Sequence, residues 1–266
     1  MWLILSEPFD PSGVWLREEL QRRTDGEVVL LTSREISTAS QADRGVDDDG
    51  VWFRVVAGGH RVESRTLRGV VNRICSSPSA LAHAVHRRGR TDSPGLGAPL
   101  LRWLHRWPGP VLNRPNLDGL SGDFRPTFWW MDHAVKSGFS SPPSAAEGGD
   151  RGLIPRADEP GAAWVAVVGA DVHGLDDPGR IVPMSLRARC RRLAQATGAS
   201  MLGIEAAPGT LSGEWRFVAA SLRPDLVRGG EPVVQSIARA LGLSTRAPRE
   251  PSPNPTRPEF TGDTTS

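Results

Sequence analysis

Long apolar runs are missing from this chain of 266 residues. No stretch approaches the roughly 20 consecutive apolar residues needed to cross a bilayer, so we expect no membrane partner. The opening MWLILSEPFDP holds few apolar positions before Ser6 and Glu7. It has neither a basic leading region nor a cleavage site and does not read as a secretory signal, which makes a cytoplasmic protein the expectation. Cysteine is scarce: Cys75 and Cys190 lie far apart without metal-ligand spacing. That sets aside a cysteine zinc site and a disulfide framework, leaving two free thiols in a reducing compartment. Charge of one sign is not in excess either, with 32 basic against 30 acidic residues and a formal net charge of +2. With no basic run, nucleic-acid binding is not expected. Tyrosine is absent, and Lys136 is the one lysine among the basic residues. Arginine suits anion recognition, but a GC-rich coding bias produces the same usage. The common motifs are missing too: there is no G-x-S-x-G, no phosphate loop ending in Gly-Lys-Ser/Thr, and no G-x-G-x-x-G after a strand.

What is present reads as α/β. MWLILSE is a short buried strand, SGVWLREELQRR an amphipathic helix and EVVLLTSREI a second strand. VWFRVV and HRVESRTL flank a Gly-Gly turn, the pattern of a hairpin. GVVNRI is a further strand, residues 79–88 and LLRWLHRW are helical, and PVLNRP is a short strand. RPTFWWMDHAVKSGF is a helix with Pro126 in its first turn and Gly138 at its end. AWVAVVGADVHGL reads as a hairpin, VPMSLRARCRRLAQATGA as a helix capped near Gly198, SMLGIEAA and EWRFVAAS as strands, and EPVVQSIARALG as a last helix. Residues 140–162 form a Ser-, Pro- and Gly-rich connector, and residues 244–266 a disordered tail.

Three polar clusters invite a functional reading and each has a plainer one. His83 and His86 share a helix face, but Arg87 and Arg88 beside them oppose a metal ion. His173, Asp176 and Asp177 fit a solvated hairpin end. The RARCRR run fits the exposed face of a helix, with an anion patch as the alternative.

Taken in order, several fragments carry a resemblance. They are GVVNRI, WPGPVLNRP, the helix ending in Gly138-Phe139 with a proline soon after, the AWVAVVGADVHG hairpin, and LGIEAAPGTLSGEWRFVAASLRPDL followed by a closing helix. This series resembles the ATP-grasp superfamily, in particular its glutathione-synthetase-like carboxylate–amine ligases. The resemblance implies a pre-grasp α/β domain over residues 1–107 and a shortened grasp domain over 108–243. Such ligases activate a carboxylate with ATP, and an amine then captures it. That chemistry requires phosphate donors, magnesium ligands and a cover that excludes water. In the family a lid of on the order of 100 residues, with a phosphate-gripping lysine, lies between the Gly-Phe helix and the hairpin. Here the connector 140–162 is too short to build that sheet and has no lysine. The family's Lys-Pro before the helix looks like Arg125-Pro126. Of the implied metal ligands Glu205 is present, while Ala219 and Ser221 stand where the family places a Glu and an Asn.

The first expectation is therefore an ATP-grasp-like protein without ligase activity and without a cofactor, which binds a protein or peptide partner or a small anion in the cleft between its halves. Asn72, Arg73, Asn113, Arg114 and Arg223 are its candidate cleft groups, each at the end of a strand. The alternative is a peptide-bond-forming or peptide-modifying ligase that completes its ATP and magnesium site in an unusual way or in trans.

Overall fold

Strand β1 (Trp2–Ser6) is buried along its whole length because both of its faces are covered. It is one of two inner strands of a parallel sheet, with β2 (Val28–Thr32) on one side and β6 (Gly69–Asn72) on the other; β7 (Val111–Leu112) extends the sheet beyond β6. The computed structural model describes residues 1–48, 50–74, 97–115, 125–140, 161–176, 181–209, 211 and 213–243. Cys75, the expected helix 79–88 with His83 and His86, residues 141–160 of the connector, Asp177 and the tail 244–266 lie outside the described residues.

Between β1 and β2 runs α1 (Pro11–Gln21), which buries Leu16 and Leu20 and opens with proline in its first turn. The EVVLLTSREI run divides into β2 and a short helix α2 (Ser33–Ser37) instead of forming one strand. The cause is local. Thr32 Oγ1 accepts from Glu35 N–H at 3.2 Å, and the Glu35 carboxylate accepts from Thr32 N–H at 2.8 Å, a reciprocal cap that starts a helix. Next comes a three-stranded antiparallel sheet of β3 (Gln41–Asp47), β4 (Gly50–Ala57) and β5 (His60–Glu63). Gly58 and Gly59, with φ of 56° and 80°, close its expected hairpin. Phe53, Val55, Ala57 and Val62 form its inner face and pack with Trp103 and Leu104 of α3 (Gly97–Arg106). Arg54 and Glu63 pair on its outer face at 2.9 Å. Strand β3 carries a polar sequence, so no apolar alternation announces it.

A second four-stranded sheet is antiparallel, in the order β11 (Trp215–Ser221), β10 (Met201–Pro208), β8 (Ala163–Val168), β9 (Asp171–Gly174). Helices α4 (Thr127–Lys136) and α5 (Met184–Thr197) cover one face through Trp130, Ala134, Leu186, Cys190 and Leu193. Burial raises the Cys190 thiol to about 12, which makes it an inert core residue. Three of the arginines around it are used internally, Arg191 by donating to the Ala170 carbonyl at 2.7 Å. Arg189 and Arg192 donate to the Gly138 and Ser137 carbonyls at 2.6 and 3.0 Å, where α4 ends.

The last helix, α6 (Leu226–Ala240), lies between the two sheets. A break at Gly230, with φ 57° and ψ −151°, separates its first turn from the regular helix that starts near Pro232. Val233, Val234, Ile237 and Leu241 share a single core with Ile4, Leu16 and Leu20 of the parallel sheet layer and Ala166, Val168 and Met201 of the antiparallel one. No helix among the described residues is long and apolar enough to cross a membrane.

Strand β9 is tied to α6 by a polar contact. Ser236 Oγ donates to Asp171 at 2.8 Å, and with its one proton so used it accepts from His173 Nε2 at 3.0 Å. Burial, helped by Arg187 and Arg239, lowers the His173 pKa below the usual 6.5. As pH falls through about 6.5 the unfolded chain therefore gains a proton that the folded chain resists. This contribution to stability is complete above that pH and is lost below it. Urea unfolding at pH 7.5 and pH 5.5 should show the loss in the wild type and a smaller one in His173→Gln.

Candidate functional site at the joint between the two sheets

The parallel sheet presents its C-terminal strand ends to the antiparallel sheet, and the polar residues expected at a cleft lie there. Asn113, just past β7, adopts φ 55°, a left-handed conformation that asparagine tolerates better than most side chains. The turn aims its carboxamide at the first residue of β10. Asn113 Oδ1 accepts from Met201 N–H at 2.9 Å, and Nδ2 donates to the Met201 carbonyl at 2.8 Å and the Leu222 carbonyl at 3.0 Å. The carboxamide thus pairs with Met201 as a neighbouring strand's peptide group would. The Asn113 N–H donates to Ser200 Oγ at 2.6 Å, and its carbonyl accepts from Asn72 Nδ2 at 2.9 Å.

Arg73 makes the second tie. Its Nε and Nη2 hold the two Asp10 oxygens at 2.6 and 3.1 Å, and its Nη1 donates to the Pro224 carbonyl at 3.2 Å. The side chain is almost wholly inaccessible, as is that of Asp10. A buried guanidinium is tolerated here because a bidentate carboxylate neutralises it. Ser12 extends the tie: its Oγ donates to Asp225 at 3.3 Å and accepts from Leu226 N–H at 3.1 Å, at the start of α6. A second buried arginine, Arg23, links Glu19 of α1 to Glu231 of α6.

Asn72, Arg73 and Asn113 are thus brought together, but in the packed joint and not on an open wall. Arg114 is turned away from them. Its guanidinium donates to the carbonyls of Leu104, Trp107 and Gly109 at 2.8, 2.5 and 2.7 Å and closes the end of α3. Burial lowers its pKa from the usual arginine value. Arg223 is exposed, and its guanidinium has no partner among the described residues. Asp10, Ser12 and Ser200 complete the joint and were not singled out in the sequence. Asp10 precedes a proline that opens a helix, a position that reads equally well as an ordinary cap.

The implied metal positions fall on adjacent strands. Glu205 lies directly opposite Ala219 and Gly203 opposite Ser221, so Glu205, Ala219 and Ser221 share one face of the sheet. A bulge follows at Glu205/Ala206. Glu205 is buried, Ala219 has no donor atom, and Ser221 Oγ accepts from Arg223 N–H at 3.0 Å in a tight turn. One carboxylate does not fit the oxygen-rich shell that magnesium takes. Among the described residues no three His, Cys, Asp or Glu side chains converge on a possible metal position. Beside the β10–β11 turn a surface recess of about 410 Å³ is lined by Phe139, Ser140, Arg189, Leu211 and Glu214.

No family model matches the chain, and no curated protein matches it in sequence. Its shape does match solved structures. The RiPP-associated ATP-grasp ligase of Chryseobacterium gregarium, in complex with ADP and a leader and core peptide, superposes with a TM-score of 0.57 at 11% identity, over 91% of this chain and 94% of that one. The chain has the ATP-grasp fold. The macrocyclase MdnB of Microcystis aeruginosa MRC matches this chain with a TM-score of 0.62 at 15% identity, over 91% of this chain and 99% of that one. MdnC of the same organism, bound with its precursor peptide MdnA, matches with a TM-score of 0.62 at 10% identity, over 90% and 98% of the two chains.

The joint in this ATP-grasp fold rests on hydrogen bonds more than on a backbone angle. Asn113→Ala strands the polar groups of Met201 and Leu222 and should cost about 2–4 kcal/mol in urea unfolding. Asn113→Gly relieves the positive φ and should lose a similar amount. Wild-type stability in the glycine variant would show that the angle matters and the bonds do not.

Proposed function

We propose that the chain is a peptide-acting ATP-grasp protein of the carboxylate–amine ligase kind. The observation that carries this reading is the likeness along about nine-tenths of the chain to two macrocyclases and a RiPP-associated ATP-grasp ligase, one bound with a precursor peptide and one with a leader and core peptide. On this reading the substrate is a peptide, and the ATP and magnesium site is completed by groups other than β11 or by a second chain.

A second reading has its own observation. Ala219 and Ser221 leave Glu205 as the one carboxylate of the strand pair, which favours a protein that binds peptide without turning over ATP. On that reading the pre-grasp half at 1–107 and the shortened grasp half at 108–243 form a binding platform.

The two readings part on nucleotide binding. A ligand at 100 times its Kd stabilises the folded state by about 2.7 kcal/mol, a rise of several degrees in a chain of this size. Thermal melting with millimolar ATP and magnesium, against magnesium alone, should show such a rise if the ligase reading holds. No rise, with or without added peptide, leaves the binding reading.

A further inference from the structure

Two residues other than glycine adopt a positive φ among the described residues, Phe9 and Asn113. Asn113 is explained, since its bonds to Met201 and Leu222 require the turn. Phe9 has no such reason. Its φ is 66°, and its side chain is 97% exposed, the most exposed large apolar residue described. A bulky aromatic residue in the left-handed region is a real outlier. Strain of this kind persists only where the surroundings impose it, and it gathers at binding sites.

The surroundings do impose it. Phe9 sits in Glu7-Pro8-Phe9-Asp10-Pro11, where two prolines restrict the backbone. The Glu7 carboxylate accepts from Ser33 Oγ at 2.6 Å at the start of α2. The Asp10 carboxylate is held by buried Arg73, and its carbonyl accepts from Gly13 N–H at 3.1 Å in the first turn of α1. Both sides of Phe9 are therefore fixed to the body, and the ring is held out in water.

Its place in the topology is also informative. β1 continues through α1 to β2 on one side, while β6 pairs with β1 on the other. The loop after β1 thus lies at the point where the strand order reverses, at the C-terminal edge of a parallel sheet. Ligands of α/β folds bind at that place.

We propose that Phe9 is a preformed anchor that receives an apolar side chain of the bound peptide. The proposal rests on the peptide reading above and adds the contact that recognises the peptide. A rigid aromatic ring loses little freedom on binding, which is what a dominant interface residue requires.

The test uses the full chain and a random dodecapeptide library selected against it. Selected peptides should share an apolar residue and bind Phe9→Ala at least about tenfold more weakly by fluorescence polarisation. Phe128→Ala, which removes an exposed ring elsewhere, should bind them as the wild type does. Phe9→Ala should melt no lower than the wild type, and Phe9→Gly above Phe9→Ala, since glycine accepts the positive φ. Equal binding by Phe9→Ala and wild type overturns the anchor and leaves the peptide reading standing; selection of no peptide overturns both. A clear drop in melting temperature in Phe9→Ala makes the ring structural and overturns the proposal. So does a concentration-dependent dimer lost in that variant, because a second copy of the chain is then the occupant.

Discussion

The carboxamide of Asn113 joins two sheets that share no strand. A parallel sheet and an antiparallel one, meeting edge to end, leave backbone groups that neither can satisfy alone. Asn113 closes that gap by offering Met201 an acceptor and a donor with the spacing of a peptide group. The position demands a left-handed turn and a short side chain with both functions, and asparagine meets both conditions. Asn72, Ser200 and Leu222 then take up the remaining bonds of the turn.

From that constraint follows the character of the cleft region. The polar groups at the ends of β6 and β7 are taken up in holding the molecule together. Arg73 is the clearest case: its charge is matched by Asp10, and its third contact ties the turn before α6. Outside a joint that uses its cations internally, the described residues still present the Arg223 guanidinium and the Phe9 ring to solvent. The same economy appears at the antiparallel sheet, where Glu205 faces Ala219 across two paired strands.

Much of the architecture was legible in the sequence. Apolar runs such as MWLILS and AWVAVV announce buried strands, Gly58-Gly59 announces its hairpin, and Gly198 with φ 69° ends α5 as its position suggests. What escaped the sequence had local causes. Thr32 and Glu35 turned half of an apparent strand into a helix, the polar strand β3 gave no alternation, and the turn from Leu226 ahead of the Gly230 break was not read, while the regular helix near Pro232 starts where EPVVQSIARALG announces it. The expected division at 107/108 also falls beside β7, whose two residues pair with β6 in the parallel sheet. Side-chain roles were harder to read than elements. That Asn72, Arg73 and Asn113 lie near one another follows from strand order, but whether they face water depends on β10 and the Leu222–Pro224 turn, encoded far later in the chain. The capping role of Arg114 depends on where α3 ends, which strand spacing does not reveal.

The shared core has a consequence for biosynthesis. Ile4, Leu16 and Leu20 are made more than 200 residues before the groups that cover them, Val233, Val234, Ile237 and Leu241. A ribosome releasing this chain therefore exposes a sheet whose outer side has no cover until α6 emerges. Domains often fold in sequence as they leave the exit tunnel, N-terminal part first. Here the earlier layer must wait for α6, so its apolar surface stays open to chaperones until that helix has been made.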